Sequence, residues 1–298
     1  MKKSFFLIVC IVLFASCGKN PTQGEGEVVV PIDEKIPITI STELTKATDT
    51  AFENGDKIGL FVVNRNGGNA GTLVTSGNHA DNVAFTFNDN VWASSTQLYW
   101  KDQQTHADFY CYYPHKNTIT NVNAIPFEVQ TDQSSSKKYF DSELLWGKTL
   151  DAAPSTDPVR IICQHELSNL LIYLRAGNGY SQETLLSEVE SLRINNTLVH
   201  GTLNLVGGTV SPTGDPADIT PFNEGDHYRA MIVPQTVNNT TLVSLVVDGY
   251  SFSLRQSITF LGNKQHKCTI TVNKTSEGIN IGIGEWEVDE TDYGGVIN

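Results

Sequence analysis

The sequence predicts an all-β protein built as two tandem Greek-key β-sandwiches. Apolar and polar residues alternate in short runs, as in Val83-Ala84-Phe85-Thr86-Phe87 and Cys268-Thr269-Ile270-Thr271-Val272. That is the period of a strand with one buried face. Thr occurs 30 times and Met twice in 298 residues, a bias towards strand formers. Turn residues also punctuate the runs at short intervals, which favours sandwiches over helical or closed-barrel designs.

The first element is an export signal. Met1-Lys2-Lys3 is followed by an apolar run from Phe5 to Ala15, too short to span a bilayer comfortably as a mature helix. Leu13-Phe14-Ala15-Ser16-Cys17-Gly18 resembles the lipobox of bacterial lipoproteins. The resemblance implies cleavage between Ser16 and Cys17 and acylation of Cys17, placing the chain in the outer membrane as a surface lipoprotein. Residues 1–16 are then the signal peptide. Residues 17–35, with Pro21, Gly24, Gly26, Pro31 and several acids, read as the lipidated cysteine and a flexible tether. No other stretch of 18 or more apolar residues follows.

Strands are expected at Ile36–Thr42, Lys57–Val63, Val83–Asn88, Gln97–Trp100, Ala107–Tyr113 and Ile125–Gln130. A second series covers Val159–Cys163, Asn169–Arg175, Glu188–Asn195, Val199–Val206, Tyr228–Val233, Thr241–Asp248, Tyr250–Leu254, Lys267–Asn273 and Ile279–Gly284. Asp248-Gly249 between two runs is a hairpin turn signal. Leu185, Val189 and Leu192 hint at one turn of helix. The segment Asp151–Pro158, with two prolines and no large apolar residue, reads as a domain boundary. It divides the fold into residues 36–155 and 156–298, the second ending in an acidic, Gly-containing tail.

The net charge of −13 argues against nucleic-acid binding, which needs a basic footprint. The seven histidines form no His-Glu-x-x-His, and no Cys-x-x-Cys occurs, so no metal site or cofactor is expected. No nucleophile motif is present, so no catalytic residue is assigned. His165 beside Glu166 is read as structural. The acids Glu285, Glu287, Asp289, Glu290 and Asp292 lack an EF-hand pattern and read as a solvated tail. Trp100, Phe109, Tyr110, Tyr112 and Tyr113 read as core rather than as a sugar-binding platform. Cys10 leaves with the signal and Cys17 carries lipid. Cys111, Cys163 and Cys268 then remain as small hydrophobes in predicted strands, and the fold is expected not to depend on disulfides.

Several patterns together resemble the fimbrillin family of the Bacteroidales, subunits of cell-surface pili. They are Thr45–Leu60 with its Gly55-Asp56-Lys57-Ile58-Gly59, Leu98-Tyr99-Trp100, Asp108–Pro114, Asp141–Trp146, Gln164–Leu170, Ile232-Val233-Pro234-Gln235 and Ile279–Trp286. The resemblance implies transthyretin-like sandwiches and no enzymatic activity. It further implies a structural and adhesive subunit assembled by strand exchange after N-terminal proteolysis. Its partners are other fimbrial subunits, identical or paralogous, with host or bacterial surface ligands beyond them. The matching scissile bond is Lys46–Ala47, where Lys stands in place of the family's usual Arg, with Lys35–Ile36 the alternative. Ile36, Ile38 and Ile40 lie on one face of the strand to be exchanged, and Pro37 suits an edge position. Ile279, Ile281 and Ile283 also share a face, as the last strand of the second domain or as a donor. The alternative reading is a non-polymerising surface lipoprotein that binds glycan or host protein.

Overall fold

The computed structural model describes residues 35–44, 51–275, 278–283 and 287–289. Cys17, Ser16, Lys46 and Ala47 lie outside these residues. In chain order the strands are β1 (Ile40–Leu44), β2 (Lys57–Asn64), β3 (Ala80–Asn88), β4 (Val91–Ser94), β5 (Ala107–Tyr113), β6 (Ile125–Glu128), β7 (Leu145–Ala152), β8 (Val159–His165) and β9 (Ser168–Ala176). They continue with β10 (Val189–Asn204), β11 (Thr209–Ile219), β12 (Phe222–Asn223), β13 (Tyr228–Ile232), β14 (Gln235–Val247), β15 (Tyr250–Phe260), β16 (Gln265–Thr275), β17 (Gly278–Ile283) and β18 (Glu287–Asp289). Two short helices, α1 (Ser136–Phe140) and α2 (Gln182–Ser187), complete the described elements. The helical hint becomes α2, capped by Ser181 and pinned by the buried Leu185.

Three sheets form. The first runs β1-β8-β7-β5-β2-β3-β4, the second β11-β10-β14-β15 with β6 also on β10, and the third β12-β13-β9-β16-β17 with β18 also on β16. Asp248 and Gly249 take positive φ values of 52° and 75° in the two-residue turn between Val247 and Tyr250. That is the conformation their residue types favour in a tight hairpin.

The segment read as a boundary joins β7 to β8, two antiparallel neighbours of one sheet. The first sheet therefore runs on past residue 155, and the chain leaves it only after His165. β6, from the earlier half, pairs instead with β10. The described residues from Lys35 onward group as one unit. The physical reason lies in β2 and β5, which are apolar on both faces. Ile58, Leu60 and Val62 with Ala107, Phe109 and Cys111 face a smaller core made by the first sheet. Phe61 and Val63 with Tyr110 and Tyr112 face a larger core, shared with the second and third sheets. The expected aromatic cluster is thus core, but divided between two cores.

Gly59 is required where it stands. A Cβ there would lie 2.2 Å from the ring of Tyr112, whose hydroxyl donates to Asn82 Oδ1 at 2.7 Å. β11 carries Pro212 and Pro216 and was not expected as a strand. It tolerates them because it is the edge strand of its sheet, bonded on one side only. Gln97–Trp100, expected as a strand, supplies only a bridge between Tyr99 and Pro37 and two flanking hydrogen bonds.

Candidate functional site

The segment 36–44 links the two ends of the first sheet. Its first half pairs with residues 98–100: Trp100 N donates to Ile36 O at 2.9 Å, and Ile38 N donates to Leu98 O at 2.8 Å. Gln97 Nε2 adds a bond to Ile38 O at 3.2 Å. Its second half, β1, runs parallel to β8, with Ile40 opposite Val159 and Leu44 opposite Cys163. Strands β1 and β4 stand at opposite ends of the strand order, yet Trp92 Nε1 on β4 donates to Thr42 Oγ1 on β1 at 2.8 Å. The sheet therefore curls until its edges meet, and β1 is the closing strand.

Ile38 and Ile40 are 2% and 5% exposed and belong to the smaller core; Ile36 packs against it half-buried, and Thr39 between them faces solvent. Beyond Thr42, the exposed Glu43 accepts a forked pair from Arg160 on β8, Nε to Oε1 and Nη2 to Oε2. That bond holds the Glu43 carboxyl below its ordinary value. Thr42, Glu43, Trp92 and Arg160 carry no sequence motif. Their partners lie 50 and 117 residues apart in the chain, so only the fold reveals them.

The remaining expected residues are placed as follows. Lys35 lies with its Nζ 5.7 Å from the centre of the Tyr99 ring. Ile279, Ile281 and Ile283 fall on β17, antiparallel to β16 opposite Lys274, Val272 and Ile270. His165 is paired with Glu143 at 3.0 Å, both buried. Cys111 and Cys163 approach to 3.5 Å between sulfurs. Both pair in register with Gly147 on the strand between them. A contact of 3.5 Å is far longer than the S–S bond of about 2.05 Å, and both cysteines are free thiols. The Cys163 contact and burial push the Cys111 thiol well up, and burial pushes Cys268 to about 12.

A pocket of about 360 Å³ is lined by Arg65, Gln104, Thr105, His106 and Asp151 among others. Its charges are already matched internally. Arg65 pairs with Asp151 at 2.6 Å and Asp108 at 3.5 Å, and His106 with Asp151 at 2.9 Å. Among the described residues no group of three or more His, Cys, Asp or Glu is arranged to hold a metal ion.

A sequence profile of the fimbrillin-like family matches residues 45–286. The chain belongs to the fimbrillin-like family. The match spans both cores, and this is a family of fimbrial structural subunits rather than enzymes. A Bacteroides uniformis protein named as a candidate fimbrium subunit, Fim1C, is 25% identical over 310 residues, covering 96% of both chains. Among solved structures, a candidate cell adhesion protein of Bacteroides uniformis superposes with a TM-score of 0.65 at 20% identity, over 87% of this chain and 99% of that one. A candidate cell adhesion protein of Bacteroides ovatus gives 0.65 at 15% identity, over 89% and 99%. These likenesses establish a shared fold.

Proposed function

We propose that this fimbrillin-like protein is a structural and adhesive subunit of a cell-surface fimbria. It is exported as an outer-membrane lipoprotein through Cys17 and joins neighbouring subunits by exchange of the strand 36–44. The observation that supports exchange is the position of that strand. It closes a core with two buried isoleucines, yet among the described residues β1 pairs with β8 alone, and its other side meets the Trp92 side chain rather than a second strand. Its departure would bare the β8 backbone edge and the sites of Ile38 and Ile40, which an alternating strand from another subunit can fill.

The two candidate cleavage sites differ in consequence. A cut at Lys35–Ile36 leaves β1 covalently joined to residue 51 and beyond. A cut at Lys46–Ala47 leaves β1 held only by non-covalent contacts. Lys46–Ala47 is therefore the productive site. The C-terminal Ile279, Ile281 and Ile283, on an edge strand antiparallel to β16, serve in this reading as a terminal strand of the fold. Partners are identical or paralogous fimbrial subunits, and adhesion is to host or bacterial surface ligands.

The experiment is treatment of the purified chain with a trypsin-like protease. A fragment beginning at Ala47 and an SDS-resistant ladder are expected. Intact monomer without either refutes the reading.

A further inference from the structure

An alternating apolar strand would satisfy the β8 edge and the isoleucine sites whatever its remaining side chains. Two contacts demand more than that. Trp92 is buried, and Phe52 and Phe87 stand 4.9 and 5.0 Å from it, centre to centre. Its indole N–H, a donor with no acceptor capacity, is thereby aimed at the position of Thr42. On the opposite face of the strand, the Arg160 fork is set to receive a carboxylate at the next position, that of Glu43.

We propose that Trp92 and Arg160 read the side chains of the strand that occupies this edge. They select a neighbouring-subunit segment that runs in the direction of β1 and carries alternating apolar residues, then a hydrogen-bond acceptor, then an acid. The inference rests on the strand-exchange reading and specifies the partner's chemistry. An apolar residue at the Thr42 position strands a buried N–H, which is costly whatever the backbone pairing. A basic residue at the Glu43 position faces Arg160. Arg160 and Glu43 are both exposed, so this second selection is electrostatic, modest and screened by salt.

The test is entry of fluorescent peptides into the protease-treated full chain. The peptides are residues 36–44 with the native sequence, with Thr42→Val and with Glu43→Lys. The Thr42→Val peptide is expected to bind roughly tenfold more weakly, although Val is the better strand former. Trp92→Phe in the protein should abolish that difference. The Glu43→Lys peptide should bind several-fold more weakly at low salt and approach the native peptide at about 0.5 M salt. Arg160→Glu, a surface change, should reverse the preference. If the native peptide enters but all three bind alike, the selection proposed here is wrong and strand exchange stands. If no peptide enters protein cut at Lys46–Ala47, or no cut occurs, both fall.

Discussion

Ile38→Ala tests the closing strand directly. Ile38 is 2% exposed and belongs to the smaller core with Trp100, Phe109 and Leu60. Truncating a buried Ile to Ala removes its transfer free energy and leaves a cavity, which together cost about 2–5 kcal/mol. The neighbours are large aromatics and strands bonded on both sides, so collapse is restricted and a value near the middle, about 3 kcal/mol, is expected. Single-domain stabilities are about 5–15 kcal/mol, so the loss is a substantial fraction. For a chain of this size it corresponds to a fall in Tm of about 6–12 °C. Ile38→Val, which removes one methylene, should cost about 1 kcal/mol. Thr39→Ala, on the exposed face of the same strand, should stay within about 0.5 kcal/mol. The assay is urea unfolding followed by tryptophan fluorescence, with the midpoint shifting at constant slope. Equal midpoints for Ile38→Ala and Thr39→Ala would refute the claim that this strand closes the core.

Three further outcomes are expected. Gly59→Ala should destabilise by about 1–3 kcal/mol, since its Cβ would lie 2.2 Å from the Tyr112 ring; pairing it with Tyr112→Phe should restore little, because the hydroxyl is not the only atom in conflict, as double-mutant unfolding would report. Cys111, Cys163 and Cys268 should resist iodoacetamide in the native protein and react fully after denaturation. Peptide mapping should find no Cys111–Cys163 disulfide, and native-state labelling of any of the three would contradict their burial. Burial raises Glu166 from 4.5 to about 8 and lowers His266 from 6.5 to about 4. The folded state keeps a proton on Glu166 that the unfolded state releases, so its contribution to stability is present below 4.5 and is lost as pH rises to about 8. His266 is kept neutral, so its contribution is present above 6.5 and is lost as pH falls to about 4. Glu166→Gln should therefore gain on the wild type progressively between pH 4.5 and about 8, and parallel pH–stability curves would exclude the desolvated carboxyl as the cause.

Much of the strand content was legible because strand periodicity is local. β2, β5, β8 and the Asp248-Gly249 hairpin fall where alternation and turn chemistry put them. β11 was hidden by Pro212, Gly214 and Pro216, whose tolerance depends on an edge position that no local window contains. The gap expected at residue 155 misled for a similar reason. Two prolines and small residues mark a loop, but a loop between domains and a loop between neighbouring strands have the same composition. The carboxylate that His165 meets is that of Glu143, from the segment preceding β7, a pairing that only the fold reveals.

By itself the sequence determined the all-β class, the alternating isoleucines of 36–40 and the Gly55–Gly59 pattern, since each follows from residue type and spacing. The tertiary structure alone decided that β1 lies against β8, more than a hundred residues later, and that Trp92 and Arg160 hold its two faces. Period-2 alternation states which face of a strand is buried but carries no information about its neighbour. That choice is made by the curl of the sheet and by two apolar faces on β2 and β5 that had to be covered at once.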